Sequence, residues 1–209
     1  MGDPRHDPGA AARQALTLET LTGAVLCGGR STRFGTDKAL HLVAGRTLLG
    51  RVLASLEPAR ERLLIGRPYP VEGARHVPDL RPGLGPLAGL ETALTAASER
   101  WVALAACDLP CLTPAFWRLL CSRAAPEHAV VVRGLQGRLE PLAALYPRSA
   151  LPRVRARLDR GQRDLQGLLQ ELSTVEVERE VVEAVCGPAV LHNVNRPGDA
   201  HPGADPCSG

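Results

Sequence analysis

The residues best suited to chemistry lie in one glycine-rich, cationic loop near the start of the chain. An apolar segment, residues 22–26, leads into a loop that carries three glycines and three cations: Gly28, Gly29, Gly35, Arg30, Arg33 and Lys38. Glycines let backbone N–H groups come close to an anion, and the cations neutralise its charge. A strand that runs into such a loop predicts a phosphate-binding site.

The spacing within this loop excludes two common phosphate-binding motifs. A Walker A loop needs Gly-Lys-Ser/Thr, but Lys38 follows Asp37 and precedes Ala39. A dinucleotide fingerprint needs Gly-x-Gly-x-x-Gly, which the glycines at 28, 29 and 35 do not fit. From residue 26 the chain instead reads Leu-x-Gly-Gly-x-x-x-Arg-x-Gly-x-Asp-Lys. The alternative is a surface loop with turn glycines and solvated arginines.

Two aspartates follow predicted strands elsewhere in the chain. Asp108 ends the apolar run 101–106, where a carboxylate is costly unless it meets a cation. Mg²⁺ that bridges nucleotide phosphates would be such a cation, since it prefers one or two carboxylates plus phosphate oxygens. The alternative is a turn or helix-capping aspartate, and position alone leaves the two equal. Asp79, in Val-Pro-Asp, is an ordinary loop aspartate on spacing alone.

Composition indicates a globular protein without a nucleic-acid or membrane surface. The 209 residues suit one domain with a sizeable core, with 44% hydrophobic and 22% charged residues. A net charge of +3 and 3% aromatics argue against nucleic-acid binding, and no apolar run could span a bilayer. The N-terminus has no apolar signal-peptide core. The six cysteines form no C-x-x-C pair, so zinc is weakly supported. We expect most of them to be reduced in a cytoplasmic protein.

Predicted strands and helices alternate along the chain. Strands are predicted at 22–26, 62–66, 75–77, 101–106, 129–132, 138–146 and 174–179, and helices at 47–56, 87–94, 113–123, 147–159 and 164–172. This order predicts an α/β fold with a mostly parallel, helix-covered sheet, whose ligands bind at the carboxyl ends of the strands. Residues 1–19 and 198–209 are predicted to be disordered tails that flank a single domain, residues 20–197.

The loop motif resembles the signature loop of nucleotidyltransferases. With its Gly-Gly pair and Asp-Lys ending it is most similar to the molybdenum cofactor guanylyltransferase (MobA) family. Further matches are Gly85-Pro86-Leu87-Ala88-Gly89, Arg138-x-Glu140-Pro141-Leu142-x-Ala144-x-Tyr146 and Asn193-Val194-Asn195. The resemblance covers about residues 21–197. It implies a three-layer Rossmann-like nucleotidyltransferase fold and transfer of GMP from GTP to molybdenum-bound molybdopterin, with release of pyrophosphate.

The resemblance also implies roles for individual residues. The implied catalytic residues are Arg33, Lys38 and Asp108, with Mg²⁺ on Asp108. The implied nucleotide-binding residues are Leu26, Cys27, Gly28, Gly29, Lys38, Asp79 and Asp108. Asn193 and Asn195 are expected to bind the second substrate. Arg163 is a further candidate, because the basic segment 153–163 could border a polyanion pocket as well as be a solvated face.

The sequence departs from the family pattern at three positions. Cys27 and Phe34 stand where the family usually has Ala and Met, and both changes are tolerable in size. Some family members bind guanine through an asparagine at a position near Ile65. In this sequence that position is apolar, so no contact with guanine is expected there.

Other functions stay open at this point. A cytidylyltransferase that uses CTP on the same pterin is the first alternative, although Gly28-Gly29 favours guanine. A sugar-phosphate nucleotidyltransferase is a further alternative, although these enzymes are usually longer than this chain. A non-catalytic nucleotide-binding relative is another, and the presence of both Lys38 and Asp108 argues against it. Expected partners are GTP, molybdopterin, and other molybdenum cofactor biosynthesis proteins or apo-molybdoenzymes.

Overall fold

The computed structural model describes residues 15–28, 37–194 and 207. Its strands are β1 (Thr22–Cys27), β2 (Leu42–Val43), β3 (Arg46–Thr47), β4 (Glu61–Gly66), β5 (Arg75–Val77), β6 (Trp101–Ala106), β7 (Ala129–Arg133), β8 (Leu139–Pro147) and β9 (Thr174–Glu178). Its helices are α1 (Leu48–Ser55), α2 (Pro86–Ala96), α3 (Pro114–Ser122), α4 (Leu151–Asp159), α5 (Leu165–Glu171) and α6 (Arg179–Cys186).

Seven strands form one mostly parallel sheet in the order β5-β4-β1-β6-β8-β7-β9. Only β8 is antiparallel to its neighbours, while β1 pairs in parallel with both β4 and β6. The carboxyl ends of β5, β4, β1 and β6 therefore lie side by side at one edge of the sheet. The predicted α/β fold with a mostly parallel sheet is confirmed.

Helices cover both faces of this sheet. One core cluster packs α1, α3 and α6 against the sheet through residues such as Val52, Trp117 and Val182. The other packs α2, α4 and α5 against the opposite face, through residues such as Leu90. Neighbouring strand residues alternate between the two clusters because successive side chains point to opposite faces. This is the expected three-layer arrangement.

The helix starts follow the local sequence. Thr47 caps α1 by accepting a hydrogen bond from the Gly50 N–H (3.0 Å), and Thr113 caps α3 in the same way through Phe116 (3.3 Å). Pro114 occupies the first turn of α3, where no N–H is needed. A threonine followed by a proline is by itself a signal for such a helix start.

The structure differs from the sequence prediction in three local details. The β2–β3 hairpin was missed because two-residue strands show no alternation, and α6 was missed as well. Leu18, in the segment expected to be a tail, is fully buried at a single helical turn, so the packed part of the chain begins before residue 20. Residues 192–194 have irregular backbone. The division into tails and one domain stays a prediction.

The cysteines follow the expectation only in part. Cys27, Cys107, Cys121 and Cys186 are free, but Cys111 is joined to Cys207 by a disulfide. These two residues are 96 apart in sequence, so no spacing signal could have paired them. In the part of the chain that the structure describes, none of the helices is both long and apolar enough to cross a membrane.

Candidate nucleotide-binding site

The site is built at the carboxyl ends of β1, β4, β5 and β6. Asp79, which follows β5, lies near two glycines: Gly28, which directly follows β1, and Gly66, which ends β4. A Cβ atom placed on Gly28 would be 3.9 Å from the Asp79 Oδ2 atom, and one on Gly66 would be 3.4 Å from it. Burial raises the pKa of Asp79. The structure thus brings Gly28 and Asp79, predicted separately, into one place.

Gly66 allows the backbone of β4 to approach the end of β1. Its φ of +100° favours glycine, and a Cβ atom there would lie 2.9 Å from the Cys27 carbonyl oxygen. The same carbonyl accepts a hydrogen bond from the Arg67 N–H (2.9 Å). The end of β1, where the phosphate loop begins, is therefore fixed by β4.

The side chains of Leu26 and Cys27 pack into the cores on opposite faces of the sheet. Leu26 packs on α2, where a Cβ atom on Gly89 would be 2.9 Å from its Cδ2 atom. The Cys27 thiol is buried and shares a hydrogen bond with Cys107, and this bond together with burial raises the pKa of Cys27. The nucleotide-binding roles of Leu26 and Cys27 stay predictions.

Lys38 and Asp108 form the charged centre of the site, although 70 residues separate them. The Lys38 Nζ atom lies 2.8 Å from the Asp108 Oδ2 atom, and both side chains are mostly buried. Lys38 is the first residue of a single helical turn, Lys38–Leu40. Asp37 caps this turn by accepting a hydrogen bond from the Ala39 N–H (3.2 Å).

The second carboxylate oxygen of Asp108, Oδ1, is a candidate ligand for a metal ion. Asp108 Oδ1 is buried and has no hydrogen-bond partner among residues 15–28, 37–194 and 207. A buried, unpaired carboxylate oxygen beside a cationic phosphate site suits Mg²⁺. The described residues contain no group of three or more potential metal ligands. A metal here would therefore take its other ligands from phosphate oxygens and water, as Mg²⁺ commonly does.

The loop before α2 is held by ion pairs. The Arg81 guanidinium lies 2.9 Å from Glu91 on α2 and 2.7 Å from Asp159 at the end of α4. Glu91 is buried, and Arg155 also reaches it at 3.3 Å. Gly85 precedes Pro86 at the start of α2 with a φ of +81°. The first-turn N–H groups of a helix lack intrahelical partners and can face an anion or a base.

The remaining predicted residues are placed less directly. Asn193 is exposed, and the next residue, Val194, donates its N–H to the Asp108 carbonyl oxygen at 3.0 Å, so this segment docks on the Asp108 loop. Arg163 lies in an exposed turn between α4 and α5. Gly29, Arg33 and Asn195 lie outside the described residues.

Sequence reasoning missed one cluster next to Lys38. The Tyr69 hydroxyl lies 2.9 Å and 3.0 Å from the two carboxylate oxygens of Asp37, and the Arg67 Nη1 atom is 3.0 Å from Asp37 Oδ2. Nothing in the spacing between residues 37 and 69 signals this contact. The one available hint is that Asp37 precedes the motif lysine.

Comparisons with known proteins identify the family of the chain. A family model described as a MobA-like NTP transferase domain matches residues 23–177. The chain is 44% identical to a probable molybdenum cofactor guanylyltransferase of Deinococcus radiodurans, over 86% of this chain and 91% of that protein. It is 38% identical to the protein of the same description from Opitutus terrae, over 76% and 82%.

Solved structures show the same architecture. Molybdopterin-guanine dinucleotide biosynthesis protein A from Archaeoglobus fulgidus matches with a TM-score of 0.72 at 26% identity, over 86% of this chain and 94% of that one. A Thermus thermophilus 2-C-methyl-D-erythritol 4-phosphate cytidylyltransferase shares the fold, with a TM-score of 0.61 at 20% identity over 85% and 94%. The chain is therefore a nucleotidyltransferase and belongs to the MobA-like NTP transferase family.

Proposed function

We propose that this protein transfers GMP from GTP to the terminal phosphate of molybdenum-bound molybdopterin. The products are the molybdopterin guanine dinucleotide cofactor and pyrophosphate. The observation that carries the proposal is the Lys38–Asp108 pair at the end of β6, next to β1, together with the Asp108 Oδ1 atom, which is buried and has no hydrogen-bond partner in the described part of the chain. The names of the relatives that are 44% and 38% identical supply the substrates.

The proposed reaction is an in-line displacement. An oxygen of the pterin phosphate attacks the α-phosphorus of GTP, the new P–O bond forms, and the bond to pyrophosphate breaks with its electron pair on the leaving oxygen. The attacking phosphate is already ionised, so the protein needs neither a nucleophile nor a general base. Two anions must meet, and catalysis consists of positioning and charge neutralisation.

The residues divide this work by position. Lys38 and Arg33 neutralise phosphate charge, and backbone N–H groups of residues 27–29 bind the nucleotide. Asp79 contributes to nucleotide binding beside Gly28. Asp108 would hold Mg²⁺ through Oδ1, which has no hydrogen-bond partner among the described residues. When bound, Mg²⁺ would neutralise charge on the nucleotide phosphates.

The second substrate and the setting of the reaction belong to the same proposal. Asn193 and Asn195 are proposed to contact the pterin, because the N–H of Val194, which lies between them, donates a hydrogen bond to the Asp108 carbonyl oxygen. Arg163 is proposed as a further contact to this polyanion. We assign the reaction to one domain, residues 20–197, in the cytoplasm. There molybdenum cofactor proteins or apo-molybdoenzymes would receive the product.

Pyrophosphate release tests the proposal. The purified protein is incubated with Mg²⁺, molybdenum-loaded molybdopterin and either GTP or CTP, after calorimetric titration with each Mg²⁺-nucleotide. We expect binding of GTP and one pyrophosphate released per dinucleotide formed. Turnover with CTP but not with GTP would show that the protein is a cytidylyltransferase that acts on the same pterin. Nucleotide binding without pyrophosphate would instead indicate a non-catalytic relative.

A further inference from the structure

Resting on the proposed function, we propose that Tyr69 and Arg67 are positioning residues for the reaction. They act through Asp37 to hold Lys38 against Asp108 in the geometry that meets the phosphates. Neither residue lies in the glycine-rich loop, and both come from the segment after β4.

Asp37 is held from two sides. Its carboxylate accepts the Tyr69 hydroxyl at 2.9 Å and pairs with the Arg67 guanidinium at 3.0 Å. It also accepts a hydrogen bond from the N–H of Ala39, the second residue of the helical turn that Lys38 begins. One carboxylate therefore links the β4 segment to the backbone of the lysine turn.

The β4 end of this link is anchored. The Arg67 N–H is bonded to the Cys27 carbonyl oxygen, so the segment is tied to the same strand end that begins the phosphate loop. The Tyr69 ring packs against the core cluster, and the Arg67 guanidinium lies 5.8 Å from the centre of this ring. The position of Lys38 is thereby fixed relative to the sheet.

Tyr69 is the stronger of the two supports. Burial and the hydrogen bond to Asp37 raise the pKa of Tyr69, so its hydroxyl stays a donor at neutral pH. The Arg67 side chain is 61% exposed, and exposed ion pairs contribute little. We therefore expect Tyr69→Phe to have a larger effect than Arg67→Met.

A double-mutant cycle between Tyr69 and Lys38 tests the inference. The full-length protein, Tyr69→Phe, Lys38→Ala and the double variant are titrated with Mg²⁺-GTP and, separately, with Mg²⁺-tripolyphosphate, which has no base. Tyr69→Phe should weaken binding of both ligands by about tenfold, since hydrogen bonds to charged groups are the strong ones. In the Lys38→Ala background the same change should cost less than about twofold, because the residue it positions is gone.

The chain offers a matched control. Tyr146, the only other tyrosine, is buried and donates its hydroxyl to the Pro141 carbonyl oxygen at 2.9 Å. Tyr146→Phe should lower the melting temperature without changing the affinity for either ligand. A parallel comparison of Arg67→Lys with Arg67→Met should show partial retention of binding by the lysine.

The outcomes separate the inference from the proposed function. Equal losses from Tyr69→Phe in both backgrounds, or no loss in either, would overturn the positioning role. If the protein binds Mg²⁺-tripolyphosphate but not Mg²⁺-GTP, and the cycle still shows coupling, the inference stands and the base in the proposed function is wrong.

Discussion

At the scale of single residues, the two oxygens of Asp108 have different environments. Oδ2 faces Lys38 at 2.8 Å, whereas Oδ1 is buried without a hydrogen-bond partner in the described part of the chain. An unpaired buried carboxylate oxygen carries a desolvation cost that a bound cation offsets. The Asp108 oxygen that carries this desolvation cost therefore lies where a Mg²⁺-nucleotide would bind.

Asp108→Asn should weaken Mg²⁺ dependence specifically. The amide keeps the shape of the side chain and removes its charge, so we expect the Mg²⁺ concentration needed for half-maximal pyrophosphate release to rise by about tenfold or more. Asp164→Asn is the control, because Asp164 caps α5 and has no proposed role toward the nucleotide or the metal, and asparagine also caps helices. An unchanged Mg²⁺ requirement in Asp108→Asn would contradict the metal role.

At the scale of elements, the site depends on how closely β4 passes β1. Gly66 ends β4 in a conformation that favours glycine and lies against the Cys27 carbonyl. Gly187, which ends α6, also has a positive φ (+88°), but a Cβ atom there would meet nothing within 4 Å. The two glycines share the backbone conformation and differ in the contact.

Gly66→Ala should therefore affect binding, and Gly187→Ala should not. Both variants should lose about 1 kcal/mol of unfolding free energy from the positive φ. Gly66→Ala should lose more, and it should weaken Mg²⁺-GTP binding, because the added methyl group displaces the end of β1. Urea denaturation and calorimetric titration of both variants measure the two effects. Equal stability and affinity in the two variants would show that the contact has no influence on the site.

At the scale of the whole molecule, one carboxylate joins several parts of the sheet at the edge opposite the site. Glu61, at the start of β4, accepts the Thr22 hydroxyl of β1 (2.8 Å), the Ser98 N–H before β6 (2.5 Å) and the Arg75 guanidinium of β5 (3.2 Å). Burial acts to raise the pKa of Glu61, but these hydrogen bonds outweigh it and lower the pKa.

The stability of the molecule should depend on pH through this group. Because the pKa of Glu61 is lower in the folded state, Glu61 contributes its full stabilisation at pH values above its ordinary pKa near 4.5. That stabilisation is lost as the pH falls through the folded-state pKa. Glu61→Gln should cost about 1 kcal/mol at pH 7, and the difference from the parent should shrink toward pH 3. Denaturant unfolding at several pH values measures it. A difference that stays constant from pH 7 to pH 3 would contradict this assignment.

The sequence by itself determined the fold class and most element boundaries, and it showed the glycine-rich, cationic loop that we propose binds phosphate. These features depend on local physics: hydrophobic period, the Thr-Pro cap of α3, and the positions of glycines and cations. The carboxyl-end rule for parallel sheets also brought Gly28, Asp79 and Asp108 to one edge before any coordinates. The roles of the individual site residues remain predictions.

The tertiary structure alone decided which side chains touch. The Lys38–Asp108 pair, the contact of Tyr69 with Asp37 and the Cys111–Cys207 disulfide join residues that are 70, 32 and 96 positions apart. No local pattern encodes such contacts, because they follow from strand order and loop packing rather than from the spacing of residues along the chain. For the same reason, only the folded molecule shows that Asp108 Oδ1 is buried without a hydrogen-bond partner among the described residues.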